Sequence, residues 1–291
     1  MKNKFVTIAG IQSAVSSDLK TNLIKTAKQV EKAARMGAKI ICLQELYRTH
    51  YFPQYPRAKK NKFSETTTGQ SVKIFSAIAK KYKVVIIVPI FEKDKRGNYY
   101  NSAVVINTEG KLLPTYRKIH IPQDALFYEK NYFKDGNRGY QIYKTRYASF
   151  TVLICYDQWF PEAARAAKLA GAEIIFYPTA IGTIQGVKQA EGNWHDAWET
   201  VMRGQAIANS LYIMAVNRIG TEKRLKFWGQ SFVCNAFGKV IKRAGKNKEA
   251  VLIAKINLKD NQILGKEWGF LRNRRVDTYH SLLQNKKSDV P

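Results

Sequence analysis

Residues 37–45 read Gly37-Ala38-Lys39-Ile40-Ile41-Cys42-Leu43-Gln44-Glu45. The short apolar run from Ala38 to Leu43 has the composition of a strand buried on both faces. Gly37 is placed to stop a preceding helix, which Asp18 opens as N-cap and which ends near Met36. A strand over Phe5 to Ile11 comes before that helix, so the segment is a strand–helix–strand unit. The same plan continues with a helix over Ser71 to Tyr82 and a buried strand over Val84 to Phe91. A hairpin follows, pairing Ala103–Ile106 with Lys111–Thr115 across Asn107-Thr108-Glu109-Gly110.

The opening stretch has an echo. Gly171-Ala172-Glu173-Ile174-Ile175 repeats its pattern, again after an Ala/Arg-rich helix, here Pro161–Leu169. Ser102–Leu112 likewise resembles Ser231–Val240, each with Asn three residues before Gly. Around the echo lie strands at Phe150–Ile154, Glu173–Tyr177 and Leu211–Val216, and a helix at Trp194–Asn209. Such periods are too long for a solenoid. They predict two stacked α/β halves with sheets inside and helices outside. No Pro/Gly/Ser-rich linker interrupts the chain, so residues 1–280 are expected to form one domain, with 281–291 a polar tail.

Composition narrows the function. Apolar residues make up 45% of the 291, enough for a large core. No apolar stretch has the length of a signal peptide or of a membrane span. The 3 cysteines form no CxxC pair, which speaks against a disulfide framework or a zinc site and for a reducing, cytoplasmic setting. The net charge of +27 raises the question of nucleic acid. Basic residues are spread out, however, and the notable clusters are only Arg57–Lys62 and Arg272, Arg274 and Arg275. A solvated basic surface is the simpler reading, with no nucleic-acid partner expected.

Three residues stand where chemistry is feasible. Cys155 ends a strand just before a helix, where backbone N–H groups lower a thiol pKa and hold an oxyanion. Taken alone it also reads as a small buried hydrophobe, as Cys42 and Cys234 do. Glu45 sits where a buried strand emerges into a loop, placed to act as a base if desolvated, or simply as an exposed carboxylate. Lys118 follows the return strand of the hairpin and on composition is one solvated lysine among many. None of His50, His120, His195 and His280 has a sequence context that offers a partner to a nucleophile.

Together these segments resemble the nitrilase superfamily of carbon–nitrogen hydrolases, which use a Glu–Lys–Cys triad. The resemblance rests on Gln44-Glu45-Leu46, on Arg117-Lys118-Ile119-His120-Ile121-Pro122 and on Ile154 to Glu162 (ICYDQWFPE), in the order and spacing of that family. It implies an αββα sandwich of two stacked mixed sheets, a homo-oligomer built from dimers, and catalysis by Glu45, Lys118 and Cys155. It also implies a second glutamate, Glu129, that orients Lys118. No metal or organic cofactor is implied; the partner is a small ureido or amide molecule.

Within the superfamily, Lys118–Pro122, Tyr128–Phe133, Asp157–Arg165 and Phe176–Gly182 are similar to N-carbamoylputrescine amidohydrolases, and Tyr51-Phe52-Pro53-Gln54 is close to that group's YFCQ. Tyr156 after the cysteine, Asp124-Ala125-Leu126-Phe127, and Thr183–Trp194 depart from the group. On this reading Tyr51 lies in the substrate site and the Tyr156 backbone N–H serves the oxyanion. A cationic substrate needs an acid at the far end of the pocket, for which Asp196 and Glu191 are candidates; both also read as ordinary helix-start acids. An ω-amidase or a β-ureidopropionase of the same superfamily is the nearest alternative.

Overall fold

A computed structural model of the chain describes residues 4–187 and 192–284. The first half supplies β1 (Phe5–Gln12), α1 (Leu19–Arg35), β2 (Ile40–Leu43), α2 (Gln70–Tyr82), β3 (Val85–Lys93), β4 (Tyr99–Ile106) and β5 (Tyr116–Arg117). A two-stranded hairpin, β6 (Gln123–Asp124) and β7 (Phe127–Tyr128), follows. The second half supplies β8 (Ile142–Lys144), β9 (Ser149–Val152), α3 (Pro161–Leu169), β10 (Ile174–Pro178), β11 (Gly182–Ile184), α4 (Trp194–Asn209) and β12 (Tyr212–Val216). Beyond it come β13 (Ile219–Glu222), β14 (Leu225–Trp228), β15 (Phe232–Cys234), β16 (Val240–Arg243), β17 (Ala250–Asn257) and α5 (Lys259–Glu267).

Two six-stranded sheets result, ordered β17-β1-β2-β3-β4-β5 and β8-β9-β10-β12-β15-β16. Strand for strand they share one pattern: an antiparallel edge, three parallel strands, then two antiparallel ones. The inner faces interdigitate in one core, with Ile8, Ile40 and Val85 of the first sheet and Phe150, Phe176 and Met214 of the second. On the outside, Leu23 and Val30 of α1 and Phe75 of α2 cover the first sheet. Trp198, Met202 and Ala206 of α4 cover the second. This is the expected αββα sandwich.

Where the sheets meet, β1 comes close to β12. A Cβ on Gly10 would stand 2.8 Å from Val216 Cγ2, so glycine fixes that approach.

The local readings of the first half hold well. Asp18 caps α1 by accepting from the Thr21 N–H. Gly37 follows with φ +91°, and Ala38 N donates to Ala33 O at 3.1 Å. The hairpin after β4 is looser than its sequence implies. Only an Ile106–Leu112 bridge continues it before β5 pairs with Ser102 and Ala103. After Val216 the chain forms strands that its periodicity does not announce. β17 completes the first sheet by running antiparallel to β1 from the far end of the sequence. At the C-terminus, Val276–Leu283 winds into a short 3-10 segment, and residues 285–291 of the expected polar tail lie outside the described residues.

Candidate active site

Glu45, Lys118, Glu129 and Cys155 converge between the two sheets. Glu45 leaves the end of β2, and the next residue, Leu46, is turned back with φ +47°. Lys118 follows β5, its backbone held by the Asn101 carbonyl at 2.8 Å. Cys155 lies three residues past β9 and itself adopts φ +45°, a strained conformation for a residue with a Cβ. Glu129 opens a short 3-10 turn after β7.

All four are buried: Glu45 and Lys118 are 0% exposed, Glu129 1% and Cys155 9%. Lys118 Nζ donates to Glu45 Oε1 at 3.0 Å and to Glu129 Oε2 at 2.7 Å. Glu45 Oε1 also accepts from Asn101 Nδ2 at 2.8 Å, whereas its Oε2 has no protein partner among the described residues. Glu129 Oε1 accepts from the Tyr51 hydroxyl at 2.6 Å, so both oxygens of that carboxylate are engaged. A lysine ammonium has three donors, and two are spent here. One Lys118 N–H and one Glu45 oxygen therefore remain for a ligand.

The electrostatics separate the roles further. Burial pushes the Cys155 thiol well above its usual range, the Glu45 charge adds to this, and Lys118 opposes it. A neutral thiol that needs a base follows. Burial works against the Lys118 charge, but Glu129 and Glu45 outweigh it and hold the ammonium above its ordinary pKa. Burial raises Glu129, with Lys118 pulling the other way.

Cys155 and Glu129 open onto a cavity of about 570 Å³, whose wall includes Tyr51, Asp124, Phe127, Tyr156, Trp159, Ile181 and Trp194. Among the described residues, no group of His, Cys, Asp and Glu side chains is arranged to hold a metal ion.

The family model of carbon–nitrogen hydrolases matches residues 5–263. The chain belongs to the carbon–nitrogen hydrolase family. Among its relatives, an N-carbamoylputrescine amidase of Solanum lycopersicum is 40% identical over 295 residues, covering 97% of this chain and 96% of the relative. A citrullinase of Francisella tularensis subsp. tularensis is 35% identical, covering 96% and 98%. The crystal structure of a carbon–nitrogen hydrolase from Helicobacter pylori G27 superposes with a TM-score of 0.91 at 38% identity, over 97% of this chain and 99% of that one.

In this carbon–nitrogen hydrolase several residues that the sequence reading passed over hold the site in shape. Asp157 is fully buried and accepts from four donors: the Tyr116 hydroxyl, the Ile154 N–H, the His120 N–H and His120 Nδ1, at 2.7 to 3.0 Å. It thereby ties the Cys155 turn to the Lys118 segment. The His120 ring stacks on Phe160 with centroids 3.7 Å apart. Arg218, also 0% exposed, donates to the carbonyls of Glu45 and Leu46, each at 2.8 Å, and of Thr49 at 3.1 Å. Its partner Glu222, at 2.8 Å, accepts from the Tyr51 N–H. Burying that guanidinium demands this many partners, and the price is met by the loop that carries Glu45 and Tyr51. Asn217 clasps Ile181 from both sides of its peptide, which fixes the cavity wall past β10. Only the company of residues far apart in sequence reveals these roles.

Tyr51 and Tyr156 line the cavity. Asp196 does not line it: it sits on the exposed first turn of α4, its N–H donating to the Asn193 cap. An acid in the first turn of a helix is favoured by the helix dipole. Glu191 lies outside the described residues.

Proposed function

We propose that the protein hydrolyses N-carbamoylputrescine to putrescine, ammonia and carbon dioxide through a covalent intermediate on Cys155. The observation that carries the substrate reading is the charge of the cavity wall. Its described lining includes the carboxylates of Asp124 and Glu129 and no Lys, Arg or His side chain. A cation is matched there, whereas a carboxylate would be desolvated against like charge, at a cost of several kcal/mol. The name carried by the tomato relative points the same way.

In the mechanism, Glu45 Oε2 takes the thiol proton as Cys155 Sγ attacks the ureido carbon. The third N–H of Lys118 and the backbone N–H of Tyr156 receive the oxyanion. Collapse breaks a C–N bond, and Glu45 returns the proton to the departing nitrogen. Glu45 then takes a proton from water as it attacks the carbamoyl thioester, Sγ leaves and takes that proton back from Glu45, and the released carbamic acid breaks down to carbon dioxide and the remaining nitrogen product. Glu129, with both oxygens engaged, holds Lys118 and is no base. The enzyme works in the cytoplasm, a reading supported by 3 unbridged cysteines. It assembles as a homo-oligomer of dimers, a reading supported by exposed Trp268, Phe270, Val276, Leu282 and Leu283.

The test is a substrate panel. N-carbamoylputrescine should be turned over with a kcat/KM about a hundredfold above that of N-carbamoyl-β-alanine or glutaramate, in line with the cost of an unmatched charge. Cys155→Ala should abolish turnover, and loss of activity on alkylation should track Cys155 while Cys42 and Cys234 stay unlabelled in the folded protein. Equal rates for the anionic compounds would overturn the substrate, and an active Cys155→Ala would overturn the mechanism.

A further inference from the structure

We infer that Asp124 is the specificity residue of this cavity, the carboxylate that receives the ammonium end of the substrate. The inference deepens the ureido-hydrolase reading above and rests on it for the identity of the substrate. Among the described residues two carboxylates line the cavity, and only one is available. Glu129 spends its oxygens on Tyr51 and Lys118, while the Asp124 side chain has no hydrogen-bond or ion-pair partner among the described residues.

Position sorts the two in the same way. Cys155 and Glu129 are buried, and Asp124 is exposed while lining the same space, so it stands at the mouth. The half-buried part of the wall is largely apolar, with Phe127, Trp159, Ile181 and Trp194. The cavity therefore presents acyl-transfer groups, then hydrocarbon, then a negative charge. That sequence is the negative image of a ureido group joined by a methylene chain to an ammonium.

The mouth is also held in place. Asp124 and Phe127 face each other across β6 and β7, and the turn between them includes Leu126 at φ +66°. Gln123 ties the hairpin to the turn that carries Glu129, accepting from Lys130 N at 3.2 Å and donating to Asn131 at 3.1 Å. The nearby Tyr156 hydroxyl feels the Asp124 charge, which adds to burial in raising its pKa. Over the whole protein, a charge of +27 repels a cation, so a local anion at the entrance has a task that the global field cannot perform.

The experiment compares N-carbamoylputrescine with N-pentylurea, which has a methyl group in place of the ammonium. In Asp124→Asn the ratio of kcat/KM for the charged over the neutral compound should fall about tenfold, as expected for one charge-assisted contact, mostly through KM. Asp124→Glu should recover part of the ratio. A second readout needs no turnover: n-pentylamine should slow iodoacetamide labelling of Cys155 more than n-pentanol does, and Asp124→Asn should erase that difference. An unchanged ratio, or an amine preference that persists in Asp124→Asn, overturns the assignment. If the wild-type protein hydrolyses neither ureido compound, the proposed function falls, and the labelling comparison still decides the role of Asp124.

Discussion

The two sheets are built alike and used differently. β2 and β10 occupy equivalent places, and the turns that lead into them match bond for bond. Gly37 and Gly171 have φ +91° and +102°, and Ala38 and Ala172 donate back into α1 and α3 at 3.1 and 3.0 Å. The turns after the equivalent strands β4 and β15 agree as well. Gly110 N donates to Asn107 O at 3.0 Å and Gly238 N to Asn235 O at 2.8 Å, and each Asn side chain accepts from the residues that follow. Past the strand ends the likeness stops. The first sheet delivers the carboxyl and amine side chains, Glu45 after β2 and Lys118 after β5. The second delivers the thiol after β9, and after β10 it supplies uncharged wall, Ala180 and Ile181. Repetition thus sets the frame, and the chemistry arises from unlike fillings of like positions.

The most severe way to test that division is to empty the charged side of it. Glu45→Gln and Lys118→Ala should each lower kcat about a thousandfold, since in the proposed mechanism one removes the base and the other an oxyanion donor. Because both serve one transition state, the double variant should lose far less than the product of the single losses in single-turnover assays. Multiplicative losses would mean that the two sheets do not share one site.

A milder break lies in the link between the halves. Arg218 stands between β12 and β13, yet it holds the backbone of the loop that bears Glu45. Arg218→Lys keeps the charge and loses the planar fork. The expected result is a kcat about tenfold to a hundredfold lower with the fold retained by circular dichroism, the scale of a small misplacement of a reacting group. Wild-type kcat in this variant would show that Glu45 is positioned by the first sheet alone.

The smallest effect sharpens the comparison directly. A Cβ on Gly37 or Gly171 meets no atom within 4 Å, so alanine there carries only the left-handed backbone penalty. Each substitution should cost about 1 kcal/mol, and the two costs should agree when measured by urea unfolding. Unequal values would show that the two turns, though alike in geometry, differ in how far the unfolded chain already forms them.

What could be read from the sequence follows the same boundary. Strand, helix and stop signals are local, so the frame from Phe5 to Val216 was legible, and the Gly-Ala-Lys-Ile-Ile echo correctly announced a doubled architecture. Glu45, Lys118 and Cys155 became legible only as a set of motifs, because burial of a lone lysine leaves no local trace. Asp157 and Arg218 stayed hidden, since their meaning lies in partners 37 to 173 residues away or in loop carbonyls, which carry no residue code. Asp124 on the cavity wall stayed unmarked for a related reason. Asp196 has the helix-start context that invites a functional reading, whereas Asp124 stands in a two-residue strand that no periodicity marks.

Gly10 gives this arrangement a mechanical side. Cys155 and Glu45 ride on separate plates, and the plates touch where β1 meets the Val216 side chain. Sheet separation is then a dial on the sulfur-to-carboxylate gap, set by atoms remote from any reactant. A single methyl group at position 10 would act as a shim, and hydrostatic compression would act in the opposite sense, so that reaction rate reports the thickness of the sandwich.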